Sequence, residues 1–237
     1  MLLQDYLLAF GKSLLFALAT LLPILNPPAI APIFLSLTEG ASNSIRGILA
    51  KKIARNVLLM LVAAMLVGSF VLDFFGISLA IVRVGGGLLV VASAWRLLNS
   101  PDGGTEHTAR MAEGFTAEMA DRKAFYPLTF PISCGPGSIA AAITVGASLH
   151  DQSTIPLTAA RISGAVFGVL LVATAVFLCF RFAQQLLRPL GETGTVVFLR
   201  LSAFILLCLG VQIVWEGLSE LIVEVLQRSS ISLGSAS

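Results

Sequence analysis

Six stretches of this 237-residue chain run long and nearly free of charge: Ser13–Thr38, Asn56–Leu72, Phe75–Leu98, Ala124–Leu149, Ile162–Phe180 and about Thr195–Leu218. Roughly 20 apolar residues in a helix cross about 30 Å of hydrocarbon, where every backbone polar group must be satisfied within its own segment. The pattern therefore predicts an all-α integral membrane protein with six transmembrane helices. The composition agrees, with 57% hydrophobic residues, 12% charged residues and a mean hydropathy of +0.93, whereas soluble domains carry about 25% charge. The shortest span, Asn56–Leu72, is lengthened by Lys51, Lys52 and Arg55, whose stems can lie along it while their charges reach water. Too little chain is left over for a soluble domain, and the net charge of +2 gives no ground for a nucleic-acid partner. The partner implied is the lipid bilayer.

Lys and Arg set the orientation. The connections after the first, third and fifth spans hold ten of them (Arg46, Lys51, Lys52 and Arg55; Arg96, Arg110, Arg122 and Lys123; Arg181 and Arg188), against Lys12, Arg161 and Arg228 on the other side. Both termini are thus predicted outside. The N-terminus, with Asp5 ahead of Lys12, does not read as a cleavable signal. In the long connection, residues 99–123, Met111, Phe115 and Met119 share one face of a short amphipathic helix. Residues 229–237 read as a disordered tail. Glu216, Glu220 and Glu224 share a helical face that reads as solvated. Cys134, Cys179 and Cys208 lie in apolar runs without metal spacing and read as small packing residues. His107 and His150 stand alone in polar loops, so no metal centre or cofactor is expected. No span holds a nucleophile–base pair, which argues against an enzyme.

Two of the spans are broken where a membrane helix should be simplest. Pro23, Pro27, Pro28 and Pro32 fall in the first, Pro127, Pro131 and Pro136 in the fourth. When Asn26 is laid on Gly135, Pro27 meets Pro136, Ile30 meets Ile139 and Ala31 meets Ala140, and farther on Arg83 pairs with Arg200. The chain thus divides into a three-span repeat over 1–98 and a second over 124–228. A repeat with an odd number of spans re-enters the membrane from the opposite side, the arrangement of secondary transporters whose site lies at the midplane between discontinuous helices. A proline removes an N–H, clashes with the carbonyl four residues back and costs about 3 kcal/mol or more inside a helix. Such a break survives in hydrocarbon only where protein or a wet cavity surrounds it. Helices 1 and 4 are therefore expected to be discontinuous at mid-depth. The N–H groups around Ala29–Ile30 and Ser138–Ile139 would be open to a carboxylate, since a helix N-terminus carries about half a positive charge.

Arg83 and Arg200 are the intramembrane charges, and such arginines normally face the bundle interior with a partner. Asp73 and Glu192 sit at span ends, so the expected partners are backbone carbonyls of the broken helices, polar side chains or an anionic ligand. A stabilising role and a role in gating or substrate contact both remain open. The run Val84–Leu89, VGGGLL, has no strand before it and no Lys-Ser/Thr after it, so it reads as close helix packing.

These features resemble the MarC family of six-span membrane proteins: the Asn-Pro break followed by PIFLSLT (Pro32–Thr38), the Gly-Pro-Gly break in span four, and an arginine in spans three and six. The resemblance covers about Leu7 to Leu221. It implies a secondary transporter of small neutral amino acids such as glycine and alanine, working by alternating access in a bacterial or archaeal cytoplasmic membrane. The implied substrate-binding residues are Asn26, Pro27, Pro28, Ala29 and Ile30 with Gly135, Pro136, Gly137, Ser138 and Ile139, and Arg83 and Arg200 are the paired arginines. Glycine often follows the first Asn-Pro in the family, whereas Pro28 and Ala29 follow here. A coupling ion, Na⁺ or H⁺, is compatible with this implied role, and the alternative is an exporter of another small metabolite or drug.

Overall fold

A computed structural model describes residues 2–38, 41–99, 124–149 and 155–234, all of them in helices and short turns. The amphipathic stripe of Met111, Phe115 and Met119, and His107 and His150, lie outside the described residues. The helices are α1 (Leu2–Leu25), α2 (Pro27–Leu37), α3 (Asn43–Phe75), α4 (Leu79–Leu98), α5 (Ala124–Ser133), α6 (Pro136–Leu149), α7 (Ile155–Arg181), α8 (Ala183–Leu187) and α9 (Gly191–Gly234), with a 3₁₀ turn at Arg188–Leu190 before α9. Five runs are long and apolar enough to cross a membrane, and the bent pair α5–α6 makes a sixth.

Several helices overrun the charge-free spans. α3 has 33 residues and starts at Asn43, capped by Ser42, whose hydroxyl accepts from the Ile45 N–H at 3.3 Å. Lys51, Lys52 and Arg55 ride on this helix rather than ending it, which is why a charge-free criterion cut it short. α9 has 44 residues and carries the chain to Gly234, into the stretch whose composition reads as tail. In the other direction, Gly76 (φ 65°) closes α3 and Ser78 caps α4, so the third helix starts at Leu79 instead of Phe75.

α3 and α7 cross at the centre. α1 packs on α7 and α6 on α3, while α4 and α9 pair outside them, joined to the rest through α6 and α2. The buried cluster of Leu21, Phe34, Ile53, Met65, Val145 and Val169 fills the central group, and Phe34 stacks on Phe180 with centroids 4.8 Å apart. In lipid, helices gain little from hiding apolar surface and associate through close packing at small residues. The glycines obey this rule. A Cβ on Gly146 of α6 would stand 1.8 Å from the Met65 carbonyl oxygen of α3, and one on Gly164 of α7 would stand 2.2 Å from that of Phe10 on α1. In the VGGGLL run, Gly86 faces Ala140 of α6, Gly87 faces Val214 and Gly210 of α9, and Gly85 faces nothing within 4 Å. One helix is thus clamped between two through adjacent glycines.

Candidate functional site

Both breaks exist, and the second half-helix starts in the same way at each. Pro27 and Pro136 occupy the first helical position, where a missing N–H costs nothing and φ is preset. The carbonyls of Asn26 and Gly135 then accept from Ile30 and Ile139, at 3.3 and 3.2 Å. The hydrogen bonds thus follow the residue alignment of the two segments.

What precedes each proline differs. At the first break a single residue, Asn26, takes the left-handed conformation (φ 43°), which asparagine tolerates better than most residues. Its N–H donates to the Leu22 carbonyl at 3.0 Å, and its carbonyl accepts from Ala29 at 3.0 Å as well as from Ile30. One residue ends α1 and starts α2, and Gln4–Leu35 qualifies as one 32-residue span. At the second break α5 and α6 are bent by 69°. α5 is itself wide and irregular, with extended backbone at Tyr126 (φ −119°, ψ 124°) and Phe130 (φ −114°, ψ 127°). Each of these precedes a proline, which pushes its neighbour out of the helical region. The hydroxyls of Thr129 and Ser133 bond back five residues to the carbonyls of Ala124 and Leu128, both at 2.6 Å, and the Cys134 N–H reaches the Thr129 carbonyl at 2.8 Å. Asn56 on α3 donates to the buried Thr129 hydroxyl at 3.4 Å.

The donors expected at the first break are already used. Pro27 and Pro28 have no N–H, and those of Ala29 and Ile30 go to Asn26. At the second break the Ile139 N–H is used by Gly135, but those of Gly137 and Ser138 find no acceptor among the described residues. Of the two breaks, only the second has an open helix N-terminus among the described residues. Its surroundings are small and close: Gly137, Ser138 and Ala140 are buried, and a Cβ on Gly137 would lie 2.2 Å from Val90 of α4.

The two interrupted helices also meet. α1 packs on α6 and α2 on α5, and Ser13 and Ser148 line one cavity between α1 and α6. Ser13 lies as far before Asn26 in the sequence as Ser148 lies after Gly135.

The arginines are placed otherwise than expected. Arg83 bonds no half-helix carbonyl; its Nη1 donates to Glu220 of α9 at 2.5 Å. Gly87 against Gly210 and Ala80 against Gly217 fix α4 and α9 in an antiparallel register, which brings Glu220 beside Arg83. Glu220 is thus an ion-pair partner rather than part of a wholly solvated face, although half of its side chain remains exposed at 50%. Arg83 starts only one turn into α4. The contacts of Gly86 with Ala140 and Gly137 with Val90 put it level with Ile143, away from the second break. Arg200 is exposed on α9 and makes no hydrogen bond or ion pair with the described residues. The same register sets it near Leu97, at the end of α4. The sequence flagged neither Asn56 nor Thr129, and it offered Glu220 only as one of three charges on a solvated face. Tyr126 and Phe130 did carry a signal, two aromatic-proline pairs four residues apart. Of the cysteines, Cys134 is buried, Cys179 half-buried and Cys208 exposed.

Comparison with known proteins settles the family. The family model described as MarC family integral membrane protein matches residues 11–222. This chain belongs to the MarC family. A membrane protein of Archaeoglobus fulgidus is 31% identical over 86% of this chain and 91% of its own length. The inner membrane protein MarC of Salmonella typhimurium is 29% identical over 89% of the chain and 96% of its own length. The protein of that name from an Escherichia coli O1:K1 strain gives the same figures over 218 aligned residues. No solved structure matches the chain.

Proposed function

We propose that this MarC family protein is a secondary transporter of small zwitterionic amino acids, of glycine and alanine size, working by alternating access across a cytoplasmic membrane. It is read as a carrier rather than an enzyme, built of two three-span halves of inverted topology with the site between their breaks. The observation that carries the reading is the open start of α6, where the Gly137 and Ser138 N–H groups have no acceptor among the described residues. Two donors at a helix N-terminus suit a carboxylate. The ammonium would take carbonyls of the unwound segments, with the Asn26 side chain across the gap. Ala29 and Ala140 would wall the site and favour a small side chain. The inner-membrane location given for the Salmonella and Escherichia relatives supports the cellular setting.

Counterflow in proteoliposomes tests this. Saturable exchange of labelled glycine or alanine, competed by either but not by leucine or phenylalanine, is the expected result. No exchange by folded protein, or exchange competed by large apolar solutes, would sink the substrate assignment and favour the metabolite or drug exporter.

A further inference from the structure

The second break is held from outside itself. With extended backbone at Tyr126 and Phe130, α5 has no regular ladder to fix the angle at which it meets α6. α3 packs against both, and it grips them by different means. On α6 the grip is close packing: a Cβ at Gly146 would stand 1.8 Å from the Met65 carbonyl oxygen, and one at Gly68 would stand 2.4 Å from the Ile143 side chain. On α5 the grip is polar. Asn56, half-buried on α3, donates to the fully buried Thr129 hydroxyl at 3.4 Å. That hydroxyl donates onward to the Ala124 carbonyl at 2.6 Å, where α5 begins. The Thr129 carbonyl accepts from Cys134 at 2.8 Å, and Gly135 and Pro136 follow at once. Thr129 thus gathers both ends of the irregular segment, and Asn56 ties it to a neighbour. Asn56 and Met65 lie nine residues apart on α3, roughly 14 Å along its axis. One uninterrupted helix therefore carries an anchor on each side of the interruption. Hydrogen bonds between helices are among the forces that hold them together in lipid.

We propose that Asn56 is a positioning residue: through Thr129 it fixes the bend between α5 and α6, and so the angle at which the free N–H groups of Gly137 and Ser138 face the unwound segment. The consequence for substrate rests on the transporter reading; the bracing of the bend does not.

The test measures distances between spin labels by double electron–electron resonance, on full-length protein in lipid nanodiscs with Cys134, Cys179 and Cys208 replaced by alanine. Phe125→Cys and Ser148→Cys put labels at exposed positions of α5 and α6, and Leu59→Cys with Ser148→Cys gives a reference pair between α3 and α6. Asn56→Ala or Thr129→Val is expected to shift or broaden the α5–α6 distance and leave the reference distance alone. The double variant does no more than either single one, because both remove the same bond. Thr129→Ser keeps the hydroxyl and the original distance. Equilibrium binding of labelled alanine to Asn56→Ala and to Thr129→Val weakens about three- to tenfold, the worth of one such bond, and Thr129→Ser retains it. An α5–α6 distance unmoved by Asn56→Ala would overturn the proposal. So would a shift of both distances, which marks general loosening, or a changed bend with unchanged affinity, which marks a brace that does not aim the donors. If the unsubstituted protein binds no alanine, the transporter reading sinks while the distances still decide the brace.

Discussion

The two breaks share a sequence pattern yet differ in geometry. Around Asn26 the chain loses one residue of helix and keeps its course. Around Gly135 it bends by 69° and is already irregular from Tyr126 onward. The contrast lies in the residues around the prolines. Pro27 and Pro28 fall together at the start of α2, where a helix needs no donors, and Asn26 caps both neighbours. Pro127, Pro131 and Pro136 are spaced through a longer stretch, so each disturbs a new turn and its preceding residue. Spacing alone does not unwind a helix, since Pro23 and Pro32 stand inside regular α1 and α2; the second break is set apart by the extended backbone at Tyr126 and Phe130. The joint at Asn26 has no free donors. The unwound side keeps two, and so the proposed carboxylate site is one-sided.

The largest effect should come from filling the second break. Gly137→Val places atoms where a Cβ alone would already meet Val90 at 2.2 Å. Overpacking typically costs about 1–3 kcal/mol, so a clear fall in thermal midpoint in detergent is expected, together with loss of exchange. The equivalent enlargement at the joint, Ala29→Val, should cost less in both assays. A reversed order would break the comparison.

Next is the conformation of Asn26. The left-handed region costs an ordinary L-residue about 1–2 kcal/mol, so Asn26→Ala should lower stability by about 1 kcal/mol and Asn26→Gly should leave it nearly unchanged. Chemical denaturation of the pair checks this. Equal destabilisation would mean that the Asn26 side chain, rather than its backbone, holds the joint.

The smallest effect is expected at Arg83–Glu220, which lies away from the second break. Partly exposed ion pairs are worth about 0–1 kcal/mol, so Glu220→Gln should shift stability by no more than that and leave the apparent affinity for alanine unchanged. A large loss of affinity would place Arg83 in the substrate path after all.

Much of this was legible in the sequence. Lipid punishes irregular backbone so severely that long apolar runs with paired proline clusters almost dictate six spans with two interruptions. Helix ends were less legible, because Lys51, Lys52 and Arg55 ride on α3, and because Ser78 rather than the first apolar residue starts α4. The partner of Arg83 was hidden for another reason. Glu220 reaches it only through the glycine register between α4 and α9, a long-range packing fact that no local pattern in either helix records. The used-up donors at Ala29 and Ile30 depend on a carbonyl direction set by one left-handed residue, which asparagine permits but does not require.

The most direct test of the one-sided site is equilibrium binding of labelled alanine to purified protein carrying Gly137→Ala or Pro28→Gly. The first crowds α4 against the open start of α6; the second gives the joint an N–H. Binding that Gly137→Ala abolishes while Pro28→Gly preserves or strengthens it, with both proteins folded, is the predicted result. Binding that survives Gly137→Ala but is lost with Pro28→Gly would contradict the account and move the site to Asn26.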